Sequence, residues 1–111
     1  MTLQYLIETL GYKPLYKPQG DIEIKDAYTS DLLSDVMGKA PEESVLITVQ
    51  GHRNTVAVAS LAGIRAIVLC SRRGAPDEML DAAAQEQIAV LSTPDNQFTA
   101  SWKIARGLEL V

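Results

Sequence analysis

A chain of 111 residues with 47% hydrophobic and 22% charged residues is long enough for one core, and its composition is neither disordered nor membrane-embedded. Its formal charge of −4, with ten basic residues scattered along the chain, argues against a nucleic-acid surface, and no run approaches the ~18 apolar residues of a membrane span. Cys70 is the one cysteine and His52 the one histidine, which excludes an internal disulfide and any multi-cysteine metal site and argues against zinc chemistry.

The start, Met1 to Tyr5, lacks the basic and long apolar pattern of a signal peptide, so a cytoplasmic location is expected. Leu3, Leu6, Ile7 and Leu10 fall at helical spacing, with Thr2 as a candidate N-cap and Gly11 as a stop. Pro14, Pro18 and Gly20 make residues 13–20 extended or turning. Ile22 and Ile24 then alternate with charged residues in an edge-strand pattern. Thr29 or Ser30 is placed to cap a helix whose stripe, Leu32, Leu33, Val36 and Met37, ends at Gly38 and faces the core or a partner subunit. Asp31 and Asp35, four apart, are read onto one face of that helix, either solvated or holding a cation.

From Val45 the spacing predicts three strand-then-helix units. The strands are Val45 to Val49, Ala66 to Cys70 and Ile88 to Leu91; the helices run from about Thr55 to Ala62, Pro76 to Glu86 and Asn96 to Arg106. Continuous apolar runs suit strands covered on both faces, and the βαβ order makes them parallel with right-handed crossovers. The expected class is therefore α/β, a single layered domain over residues 1–111 with a mainly parallel sheet flanked by helices. Asn54, Pro76, and Thr93 or Asp95 suit the three helix starts. Phe98, Trp102 and Ala105 form a stripe read as core rather than as a ligand platform.

The absent motifs matter as much. There is no Gly-x-x-x-x-Gly-Lys-Ser/Thr, Gly-x-Gly-x-x-Gly, Gly-x-Ser-x-Gly or His-Glu-x-x-His, so phosphotransfer, a dinucleotide grip, an esterase elbow and a zincin site are all unsupported. Cys70 reads as a buried small hydrophobe, with no identifiable base to activate it.

Ligands of parallel sheets bind beyond the carboxyl ends of the strands, and three loops leave those ends. They run from Gln50 to Asn54, Ser71 to Ala75 and Ser92 to Asp95, and offer Gln50, Gly51, His52, Arg53 and Asn54, then Ser71, Arg72 and Arg73, then Ser92 and Thr93. Arginines suit phosphate or carboxylate, hydroxyls supply orienting hydrogen bonds, and a helix start favours negative charge. A small anionic metabolite or nucleotide is the expected ligand; the alternative is that the arginines are solvated or paired with the chain's own carboxylates.

The segments Tyr28 to Met37, Ile47 to Asn54, Val56 to Leu61 and Ile88 to Pro94 resemble a DRTGG domain, strongest over residues 28–94. This small module accompanies HPr kinase/phosphorylase-like proteins, some phosphate acetyltransferases and CBS-containing pyrophosphatases. The resemblance aligns the Asp-Arg element with His52-Arg53 and the Thr-Gly-Gly element with Cys70-Ser71-Arg72, so only Arg53 is kept. Gln87 likewise stands at a helix-ending position where glycine is easier. The resemblance implies the fold of the HPr kinase N-terminal domain and a regulatory or architectural role without a reaction or cofactor of its own. It also implies a homodimer, with a separate metabolic enzyme as a further candidate partner. Two other readings stand beside it. One is an interaction module docking through Leu108, Leu110 and Val111; the other is a minor hydrolase or transferase using His52 with Arg53.

Overall fold

The computed structural model describes residues 1–111. Thr2 begins the first helix as its spacing predicts: its hydroxyl accepts a hydrogen bond from Tyr5 N at 3.1 Å, and α1 (Leu3–Glu8) buries Leu3 and Leu6. Gly11, in left-handed backbone at φ 73°, lets the chain turn toward β1 (Lys13–Tyr16). Four strand-then-helix units follow. They are β2 (Asp26–Thr29) with α2 (Leu33–Lys39), β3 (Ser44–Thr48) with α3 (Arg53–Ala62), β4 (Ala66–Leu69) with α4 (Asp77–Glu86), and β5 (Ala89–Ser92) with α5 (Gln97–Gly107).

The five strands form one sheet in the order β1-β5-β4-β3-β2. β2 to β5 are parallel, and β1 closes one edge antiparallel to β5. Pro14 has no N–H to donate and sits in β1, an edge strand, where the sheet tolerates it. Strand side chains alternate between two cores. Val45, Ile47, Ala66, Val68, Cys70, Ala89 and Leu91 pack with Leu3, Leu6, Ala100 and Ile104 of α1 and α5. Leu46, Ile67, Leu69 and Val90 pack with Val36, Val56, Ala59, Met79 and Ala83 of α2, α3 and α4. Burial on both faces is why the central strands read as unbroken apolar runs.

Several sequence expectations need correction. Ile22 and Ile24 are buried but form no sheet strand, because their backbone bonds to the N-terminal segment instead: Leu3 N donates to Ile22 O at 2.9 Å and Ile24 N to Met1 O at 2.8 Å. The edge strand comes later, at Asp26–Thr29. Of the α2 stripe only Val36 is buried; Leu32 is 63% exposed, and the helix runs through Gly38 to Lys39. Asp31 precedes α2, so it and Asp35 do not share a helical face. The Phe98 and Trp102 stripe is outside the core, at 78% and 44% exposure; α5 buries the smaller Ala100 and Ile104 on its inner side.

The caps also shift. His52 stands at the N-cap of α3 without a side-chain cap bond, and Pro76 occupies the N-cap of α4. Asn96 caps α5, accepting from Thr99 N at 2.9 Å. Gln87 ends α4 in left-handed backbone at φ 55°, as its position implied. No helix is long and apolar enough to cross a membrane.

Candidate ligand-binding site

The parallel register brings Thr48, Leu69 and Ser92 abreast, so the loops that leave β3, β4 and β5 begin side by side. Their contacts are specific. Ser71 N donates to Asp95 O at 2.8 Å and Arg72 N to Thr93 O at 3.0 Å, which ties the second loop to the third. The first and second loops touch at two glycines, since a Cβ on Gly51 would lie 2.6 Å from the carbonyl oxygen of Gly74. The three loops thus form one crest along the C-terminal edge of the sheet.

The middle of the crest is a tight reversal. Ser71 and Arg72 are both left-handed, at φ 58° and φ 60°, and Arg73 N donates to Cys70 O at 3.2 Å. Two successive positive φ values closed by that bond are the signature of a type I′ turn, whose central positions ordinarily favour Gly, Asn or Asp. Serine and arginine therefore stand where the backbone makes glycine the easier residue.

Two carboxylates hold the crest from beneath. Asp31 Oδ1 accepts from Thr48 Oγ1 at 2.8 Å, Val49 N at 2.9 Å and Gln97 Nε2 at 3.1 Å. Gln50 Nε2 returns to Asp31 O at 3.0 Å, while Gln50 O accepts from Thr55 Oγ1 at 2.8 Å. Gln50 is therefore fixed immediately before Gly51. Asp95 Oδ2 accepts from Tyr12 OH at 3.0 Å and Lys103 Nζ at 2.9 Å, and Thr93 Oγ1 accepts from Asp95 N at 3.1 Å. Burial first, and the Asp95 carboxylate second, push the Tyr12 hydroxyl above its ordinary pKa. Cys70 is buried, and burial reinforced by Asp95 and Asp31 pushes its thiol up to about 11. A neutral buried thiol is a poor nucleophile.

The site residues named from the sequence divide by accessibility. His52, Arg53, Asn54, Ser71 and Arg72 are exposed, Gln50, Gly51 and Ser92 are half-buried, and Thr93 is buried with its hydroxyl engaged. Arg53 lines a groove of about 190 Å³ between α3 and α4 with Glu78, Asp81 and Gln85. Even so, neither Arg53 nor Arg72 nor Arg73 forms an ion pair; the four pairs in the molecule use lysines and the N-terminus. No cluster of three His, Cys, Asp or Glu side chains is arranged to hold a metal.

Strand order alone places Asp95 in the third loop of this crest but does not place Asp31, Gln97 or Tyr12 there. Asp31 and Asp95 do have a visible signal, because each lies a few residues beyond a strand and before a helix. The partners that give them meaning, 17 and 66 residues from Asp31 in the chain, do not.

Residues 20–107 match the model of the DRTGG domain. The chain belongs to the DRTGG domain family. Its fold is similar to the crystal structure of the CBS and DRTGG domains from the regulatory region of Clostridium perfringens pyrophosphatase, complexed with the activator diadenosine tetraphosphate. That match has a TM-score of 0.71 and 16% sequence identity over 89% of this chain and 44% of that chain. This DRTGG domain therefore spans less than half the length of the solved relative. No curated protein matches the chain.

Proposed function

We propose that this DRTGG domain is a cytoplasmic, non-catalytic regulatory domain that forms a homodimer and binds a small anionic metabolite or nucleotide at the crest. The observation that carries the reading is the set of exposed, unpaired arginines at one end of a sheet in a chain of net charge −4. With carboxylates in excess, pairing within the chain had ample opportunity; Arg72 and Arg73 are instead exposed and form no ion pair, so a phosphate or carboxylate is a natural partner. In this reading Gln50 to Asn54, Ser71, Arg72 and Ser92 meet the ligand, and buried Thr93 shapes the loop. The likeness to a regulatory region solved with a nucleotide activator supports both the role and the ligand class.

Thermal unfolding with a panel of nucleotides, acyl phosphates and small carboxylates tests it. A ligand at about 100 times its dissociation constant stabilises the fold by about 2.7 kcal/mol, several degrees at this size. Arg72→Ala removes that shift while leaving the unliganded midpoint near that of the parent. An unmoved midpoint with every compound refutes the ligand.

A second reading has its own observation. Phe98 and Trp102 project from α5, and Leu110 and Val111 are exposed at the C-terminal end. Such side chains suit a surface that docks on a second copy or on a separate metabolic enzyme. Under this reading dilution lowers the unfolding midpoint and no small anion raises it.

A further inference from the structure

We infer that the Ser71–Arg72 turn is a strained specificity element that holds the Arg72 guanidinium ready for an anion carrying two or more charged groups. The inference rests on the crest reading above. Ser71 and Arg72 take left-handed backbone in succession, at φ 58° and φ 60°, a conformation in which every side chain but hydrogen crowds the backbone. Neither residue belongs to the types that occupy such turns with least strain.

The turn's own N–H groups do not explain the strain. Those of Ser71 and Arg72 are used by the carbonyls of Asp95 and Thr93, and that of Arg73 closes the turn on Cys70 O. Glycine at both positions would make the same three bonds with an easier backbone. What serine and arginine add is their side chains, both exposed, so the strain is maintained for what those side chains do.

Arg72 has no carboxylate within ion-pairing distance, and the same holds for the adjacent Arg73. Across the Gly51 to Gly74 contact lies the loop of His52 and Arg53. Arg53 lines the groove that Glu78 and Asp81 make acidic, so an anion is favoured on the crest and disfavoured farther down between α3 and α4. Two adjacent, exposed and unpaired guanidinium groups, Arg72 and Arg73, suit separated charges on one ligand better than a single small anion.

The test combines calorimetric titration and thermal unfolding of the full chain and of three variants, Ser71→Gly/Arg72→Gly, Arg72→Gly and Arg72→Lys, with tripolyphosphate and orthophosphate as probes. The parent is expected to prefer tripolyphosphate. The double-glycine variant should unfold a few degrees higher yet bind tripolyphosphate at least about tenfold more weakly, the loss of one charge-assisted contact; Arg72→Lys should recover part of the affinity. If the parent binds and the glycine variants bind equally well, this inference falls and Arg72 leaves the crest site, whose ligand reading then rests on Arg53 and Arg73 alone. If the double-glycine variant is less stable than the parent, the strain argument falls. Failure of the parent to bind either probe overturns this inference, and failure with the wider panel overturns the crest reading as well.

Discussion

At the N-terminal ends of the strands, Glu43 and Gln87 take left-handed backbone singly; at the C-terminal ends, Ser71 and Arg72 take it in succession. The lower end is laced by backbone: Glu43 N donates to Gly63 O, Arg65 N to Ser44 O and Ala89 N to Arg65 O. Gln87 follows the common left-handed helix ending, its N–H returned to Ala83 O and Ala84 O. The crest has backbone ties too, from Ser71 N and Arg72 N to the third loop, but adds side-chain lacing, with Asp31 and Asp95 each gathering donors from separate elements. Backbone lacing depends little on residue identity and closes the fold, whereas side-chain lacing specifies particular residues and sets three loops in one geometry. The difference places the residue-specific design of this domain at the crest.

The largest effect expected is from Asp31→Ala, which strands three donors at the crest and should lower stability by about 3 kcal/mol in urea unfolding; a loss below about 1 kcal/mol would mean that backbone lacing holds both ends alike. Gly51→Ala comes next. Its methyl group meets the Gly74 carbonyl, and the displaced loop should cost about 2 kcal/mol, together with whatever ligand affinity the crest has. At the lower end, Gln87→Gly should raise stability by up to about 1 kcal/mol by relieving the left-handed backbone, without changing the response to any ligand. A change in ligand response there would erase the functional distinction between the ends.

The smallest effect concerns Asp35. The hydrogen bond from Tyr28 OH at 2.6 Å is the main reason its carboxyl titrates below the ordinary carboxylate value, with Ser30 and Lys39 assisting. A carboxyl whose folded pKa is lowered stabilises the fold above its unfolded pKa, and that contribution is lost as pH falls through the folded value. Tyr28→Phe should therefore return the Asp35 titration, followed by NMR, toward the ordinary carboxylate value. An unchanged titration would place its cause elsewhere.

Much of this was legible from particular residues. Val45 to Val49 and Ala66 to Cys70 announce strands covered on both faces, and the helices after them begin within two residues of expectation. Thr2 capping and the left-handed ending at Gln87 follow from local chemistry alone. Long-range competition hid the rest. Ile22 and Ile24 alternate as a strand does, yet the N-terminal segment takes their hydrogen bonds. Phe98 and Trp102 have helical spacing, which marks a stripe but not the side that faces the sheet; the close fit around Ala100 and Ile104 decides that. At the crest, loop membership followed from strand order, whereas the hubs at Asp31 and Asp95 depend on partners far away in the chain.

The central claim is that the crest receives a polyanionic ligand, and amide chemical-shift mapping with tripolyphosphate tests it most directly. The account predicts saturable shifts confined to Gln50 to Asn54, Ser71 to Arg73 and Ser92 to Asp95. Shifts centred instead on the groove of Tyr5, Trp102 and Arg106, or none at all, would contradict it.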